Sequence, residues 1–246
     1  MSRNRFEWLA FVALLGSAGQ LLATPIVIPN ANASTPGDTD NRFPFLVSGG
    51  MRYQQVFASS QFPGPVVLTE IDLRNGILTS AAFTSTISSI LISLSTTSAA
   101  PDALSTTFAS NIGANNTQVF NGSLTLSSAN GPGPGDTHAF DIIIPFQTPF
   151  SYNPANGNLL LDVTNNSGAN GFVGGDFFDA VNVVDSVSRV VGPEGMPGAT
   201  TGTADTLGLI VQFQTAVQVQ AIPEPATLIL VGLGLVALGS RRRRTR

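Results

Sequence analysis

The chain has 246 residues, long enough for one domain with a substantial core, but it has no cysteine, so disulfides, thiol chemistry and thiolate metal sites are excluded. Between Ser34 and Ala221 it carries four arginines, no lysine and thirteen carboxylates, a net charge of −9. Such a body repels phosphate, which excludes nucleic acid as a partner, and it suits an extracellular surface where like charge keeps particles apart.

At the N-terminus Arg3 and Arg5 precede an apolar run, Phe6 to Leu15, interrupted only by Glu7. Small residues follow at Gly16, Ser17, Ala18 and Gly19, and a second apolar patch runs from Leu21 to Ile28. A basic start, a short apolar stretch and small cleavage residues are the marks of a secretory signal peptide, which makes signal peptidase a partner. Cleavage after Ala18, Ala23 or Ala33 fits this grammar, with Ala31-Asn32-Ala33 the cleanest A-x-A; a retained transmembrane helix is the alternative. Residues 1–33 are therefore read as signal peptide and leader. Residues 29–41 have almost no apolar content, and 34–44 is read as a linker.

The body, 45–218, shows short runs rich in β-branched and aromatic residues. Met51 to Ala58 is closed by a Gly/Pro turn at Gln61 to Pro65. Val66 to Leu73 places Val67, Thr69, Ile71 and Leu73 on one face. Ile87 to Thr96, Gln118 to Leu126, His138 to Pro145, Asn158 to Thr164, Phe177 to Val184, Ser186 to Val191 and Leu207 to Gln214 follow, between turns at Gly131 to Gly135, Asn153 to Gly157, Asn165 to Gly175 and Gly192 to Gly202. Ser98 to Asn111 reads as an exposed irregular segment. Nine or ten strands with dense turn signals and no helical period predict an all-β fold, an antiparallel β-sandwich with a lectin-like jelly roll as one form of it.

Few constellations carry chemistry. His138 is the only histidine and reads as a surface residue at a strand edge; neither a G-x-S-x-G elbow nor an H-E-x-x-H accompanies it. Glu70 and Asp72 share a strand face and form a candidate acid and nucleophile for a glycan, provided their side chains stand roughly 5–9 Å apart. The polar side of a half-exposed strand would look the same. Asp176 and Asp179, with Asp185 beyond, are a candidate set of hard oxygen ligands for calcium as a cofactor, though no D-x-D-x-D-G loop is present. Phe177 or Phe178 beside these acids would suit a sugar site. Other stacking aromatics are few: Trp8 lies in the leader and the body has only Tyr53 and Tyr152. Asn32, Asn115, Asn121 and Asn165 fit N-x-[ST], a pattern that a Ser/Thr/Asn-rich surface also generates by chance.

The tail, 219–246, is the most specific part. Pro223-Glu224-Pro225 is followed by an apolar stretch from Ala226 to Gly239 that includes Leu228, Leu230, Leu233, Leu235 and Leu238, and then by Arg241, Arg242, Arg243, Arg244 and Arg246. Fourteen residues make a helix of about 21 Å. Counting from Ile222 to Ser240 reaches only the short edge of the roughly 17–25 residues that a crossing needs. The basic end is expected to stay in the cytoplasm. This order resembles the PEP-CTERM sorting signal of Gram-negative bacteria. The resemblance implies export through an inner-membrane intermediate, removal of the tail by an exosortase-type transpeptidase, and delivery to the cell surface or an extracellular matrix with its polysaccharide. A plain C-terminal membrane anchor with a transmembrane helix is the alternative. The expectation is thus an exported, non-catalytic surface or matrix protein; the competing reading is a secreted glycan-acting enzyme or a calcium-dependent carbohydrate-binding module.

Overall fold

The computed structural model describes residues 24–76, 82–129, 137–171 and 177–216. They form fourteen strands: β1 (Ile26–Ile28), β2 (Thr39–Asn41), β3 (Met51–Phe57), β4 (Val66–Leu73), β5 (Phe83–Thr97), β6 (Thr117–Ser128), β7 (Ile142–Tyr152), β8 (Asn158–Asn165), β9 (Ala169–Asn170), β10 (Phe178–Val181), β11 (Val187–Val191), β12 (Thr203–Asp205), β13 (Gly208–Leu209) and β14 (Val211–Ala216). Every pairing between them is antiparallel. The fold is all-β, as the period-2 runs predict.

Three sheets result. One has the order β1-β14-β4-β7, a small one the order β13-β10-β2, and the largest the order β12-β11-β3-β8-β5-β6 with β9 beside β5. The first and the largest contribute to one apolar core, in which Phe57 of β3 meets Phe213 of β14 edge to face at 5.4 Å between ring centroids. Two prolines, Pro145 and Pro149, interrupt β7, which tolerates them because it is an edge strand.

The run Leu159-Leu160-Leu161 in β8 is continuous rather than alternating because both faces of the strand are covered. Leu159, Leu161 and Val163 enter the main core, while Leu160 joins Val56, Val190, Leu104 and Phe108 in a second cluster. This corrects the reading of 98–111 as exposed and irregular. Phe108 and Asn111 are buried in a short 3-10 turn, and Gln54 of β3 is capped by them: its amide donates to the Phe108 carbonyl at 3.0 Å and its Oε1 accepts from Asn111 at 2.9 Å.

The alternation expected along β4 also needs correction. Its register shifts between Leu68 and Glu70 against β7, and β14 shifts opposite, between Gln214 and Thr215. Thr69 is the bulged residue, so Leu68 rather than Val67 and Thr69 shares the core with Ile71 and Leu73.

Two further differences concern the N-terminal side. Ile26 to Ile28, read as leader, is a strand with both isoleucines buried, and Thr39 to Asn41, read as linker, pairs with β10. The intervening chain is threaded tightly: the Gly37 amide donates to Asp179 Oδ1 at 2.9 Å, and a methyl group at Gly37 would run into the Ala180 carbonyl.

The expectation of a transmembrane helix is corrected as well. Among the described residues no helix is long and apolar enough to cross a membrane; the helices there are 3-10 turns of three or four residues. Residues 1–23 with Trp8, the tail from 217 on, Gly131 to Gly135 and Asp176 lie outside the described residues.

Candidate functional site

The four arginines of the body set its electrostatics. Arg42 pairs with Glu194, Arg52 with Asp162, Arg74 with Asp179 and Arg189 with Asp205, at 2.7 to 2.8 Å. Each guanidinium also lies over a phenylalanine: Arg42 and Arg189 over Phe43, Arg52 over Phe108 and Arg74 over Phe140, with 4.7 to 5.8 Å between guanidinium carbon and ring centroid. Three of the pairs are bidentate, a geometry the planar guanidinium fork favours. Every arginine is thus committed to one carboxylate, and the body's excess of negative charge has no free arginine to answer it.

The Arg74–Asp179 pair is the most enclosed, with both side chains 1 % exposed. Arg74 Nε donates to Asp179 Oδ2 at 2.7 Å, and its Nη2 donates to the carbonyls of Asn32 and Thr35 at 3.0 and 2.8 Å. Burial pushes the Asp179 carboxyl above its ordinary range, against the pull of Arg74 and the Gly37 amide. Of the calcium candidates, Asp179 spends both oxygens inside the protein, with a guanidinium beside Oδ2, and Asp176 lies outside the described residues. Among the described residues no group of three or more His, Asp or Glu side chains is placed to hold a metal.

Glu70 and Asp72 do lie together, on the outer face of β4. Opposite them on β14 stand Gln214 and Gln212, which the alternation Val211-Gln212-Phe213-Gln214 could have flagged as the polar face of a strand. Both glutamine amides donate to Asp72 Oδ2, at 3.1 Å from Gln212 and 2.8 Å from Gln214. Burial, then the Asp72 charge and a hydrogen bond to its side chain, raise the Glu70 carboxyl. Asp72 Oδ1 is buried without a hydrogen-bond partner. Asp72 is only 2 % exposed. Two glutamine amides therefore occupy one oxygen of a carboxylate that is itself closed from solvent.

His138 is buried, 5 % exposed, with Nδ1 3.1 Å from the Asn75 carbonyl, so it is not the surface residue expected. Tyr53, Tyr152 and Phe178 are core residues, and Phe178 packs edge to face on Phe45. Asn165 is also buried, its amide donating to the carbonyls of Pro44 and Phe45. The large apolar side chains that are exposed among the described residues are aliphatic: Ile143, Val183, Val184 and Met196.

Sequence reading misses a cleft of about 620 Å³ between the 3-10 turn Asn30–Asn32 and the segment Val181 to Ser186. Asn30, Asn32, Asp38, Gln61, Val183 and Asp185 line it. Asp38 Oδ1 accepts from the Asn182 amide and Asp185 Oδ1 from the Val187 amide, both at 2.8 Å. Burial pushes the Asp185 carboxyl up; the Val187 amide opposes this, and Asp102 and Asp38 reinforce it. The cleft offers carboxylates and amides to hydroxyl groups. No spacing along the chain brings these residues together; only the fold does.

A family model, the PEP-CTERM protein-sorting motif, matches residues 221–244. That range contains Pro223, Glu224, Pro225, the apolar stretch and Arg241 to Arg244, all outside the described residues, and Arg246 lies just past it. No curated protein and no solved structure matches the chain.

Proposed function

We propose that this is a non-catalytic component of the cell surface or extracellular matrix, built on a β-sandwich and released from its C-terminal sorting signal by an exosortase-type transpeptidase. The observation that carries the reading is the sorting motif at 221–244, which marks the chain as exported. On this route a signal peptidase removes the leader, the chain passes through an inner-membrane intermediate, and the body reaches the surface or matrix. The sharing of one core by two sheets supports the sandwich. The absence of catalysis is supported by the closure of Asp72 from solvent and by the two glutamine amides that occupy its Oδ2. Contact with matrix polysaccharide is assigned to the cleft of Asn30, Asp38, Gln61 and Asp185, through hydrogen bonds to sugar hydroxyls rather than aromatic stacking.

Intact mass of the envelope-associated protein tests the route. The mature species is expected to lack Arg241 to Arg246, and a complete C-terminus in that population would refute processing. A glycan panel with and without Ca²⁺, reading retention and reducing-end release, tests the role. Retention lowered by Asp185→Asn, without turnover, is expected. Product formation that disappears in Glu70→Gln would establish the glycan-acting enzyme instead.

A further inference from the structure

Strand β1 lies inside the stretch that small-residue grammar offers to a signal peptidase. Three candidate bonds follow an alanine there, after Ala18, Ala23 and Ala33, of which Gly16-Ser17-Ala18 and Ala31-Asn32-Ala33 are small at both positions, and the fold distinguishes them. Ile26 and Ile28 are core residues, and β1 pairs with β14 through Ile26–Phe213, Val27–Gln212 and Ile28–Val211. Beyond the strand, the Asn30 amide donates to Gln61 Oε1 at 2.8 Å and the Asn32 carbonyl accepts from Arg74 at 3.0 Å. A cut after Ala33 would remove the edge strand, two core isoleucines and one acceptor of a buried guanidinium, and would take away one wall of the cleft. A cut after Ala18 or Ala23 removes none of these. It also keeps Thr24, whose carbonyl accepts from Thr215 Oγ1 at 3.2 Å.

We infer that the leader is removed at the Ala18–Gly19 or Ala23–Thr24 bond, that Ala31-Asn32-Ala33 stays uncut, and that β1 belongs to the mature protein. The step is hydrolysis: water adds its oxygen to the carbonyl carbon of Ala18 or Ala23, the carbon–nitrogen bond breaks, and a proton of the water passes to the new α-amino group of Gly19 or Thr24. Small residues sit at both positions that frame the first bond, Gly16 and Ala18, directly behind the apolar run ending at Leu15. The inference rests on the export reading above.

N-terminal sequencing of the full chain exported by its own host tests it. A start at Gly19 or Thr24 is the expected result. A start at Ser34, or Met1 on the exported molecules, overturns the inference and leaves export standing, whereas Met1 on a protein found wholly inside the cell overturns both. Two variants of the full chain make the assignment independent of the fate of the wild type. Ala33→Phe, at an exposed position, should yield the same N-terminus as wild type, and accumulation of its precursor would overturn the inference. The double variant Ala18→Phe/Ala23→Phe should accumulate with Met1 intact; its continued conversion to a product starting at Ser34 would show that the third bond is the one used.

Discussion

Replacing Arg74 by methionine removes a cation from a place where water cannot substitute for it. The variant leaves Asp179 buried beside an apolar side chain and strips the carbonyls of Asn32 and Thr35 of their donor. Removing one partner of a buried ion pair costs about 3–5 kcal/mol, a large part of the roughly 5–15 kcal/mol that holds a domain together. With a urea dependence of about 2–3 kcal/mol per molar for a chain of this size, the midpoint should fall by about 1–2.5 M. Far-UV circular dichroism is the assay, because the only tryptophan, Trp8, is in the leader. The deficit should narrow on acidification. An unpaired Asp179 has its folded pKa above the unfolded value, so stability is fullest below the ordinary carboxylate range and is lost as pH rises through the folded pKa. The double variant Arg74→Met/Asp179→Leu should recover most of the loss, since a well-packed apolar pair can match a buried ion pair. A midpoint shift under about 0.5 M for the single variant, or a double variant no better than the single, would refute this account of the site.

Glu70→Gln should stabilise the protein at neutral pH. The wild-type carboxyl is raised above 4.5 by burial and the Asp72 charge, so its contribution is full below that value and lost as pH rises through the folded pKa, while the amide carries no charge beside Asp72 at any pH; stability curves at pH 4 and pH 7 should coincide at the first and separate at the second. Ile28→Ala should cost about 2–5 kcal/mol by urea titration, as for other fully buried aliphatic truncations, and an effect near zero would place β1 outside the folded body. Trypsin should trim the Arg241 to Arg246 cluster from the unprocessed native chain and spare the body, which has no lysine and whose arginines are all paired; native cleavage at Arg74 or Arg189, read by mass spectrometry, would contradict the pairing. Calcium at 100 times a dissociation constant would add about 2.7 kcal/mol, yet with Asp179 already taken by Arg74 the expectation is an unchanged midpoint in Ca²⁺ or chelator.

The strands are legible where burial is one-sided or where a run is short and β-branched. Val211-Gln212-Phe213-Gln214 alternates in the sequence and in the sheet, and Asn158 to Thr164 is a strand whichever face is covered. The β4 frame is not legible, because a bulge at Thr69 inverts a pattern that reads well on paper and no residue type announces it. Nor is β1, since Ile26 and Ile28 continue an apolar patch that begins in the leader, and composition cannot divide the two. The site is less legible than the fold. Glu70 and Asp72 are two residues apart and stand out together, but Arg74 and Asp179 are 105 apart and Arg42 and Glu194 are 152 apart, and only folding pairs them. The partnership of Asp179 with Arg74 and the burial of His138 both escape sequence reading for this reason. Each residue lies close to exposed turns along the chain and deep in the molecule in space.

The sheet order β1-β14-β4-β7 gives the first strand of the body one neighbour, and that neighbour is the last strand before the tail. Until residues 211–216 have been made and exported, β1 has nothing to pair with and β4 lacks one of its two flanks. Loop closure across nearly the whole body is an entropic cost that local contacts cannot offset in advance, and folds dominated by such contacts form slowly. The core is therefore expected to close late, after β14 has emerged. Protease protection in a pulse–chase of the exporting cell should appear all at once after β14 emerges; a protected intermediate lacking 211–216 would show that the domain closes by another route.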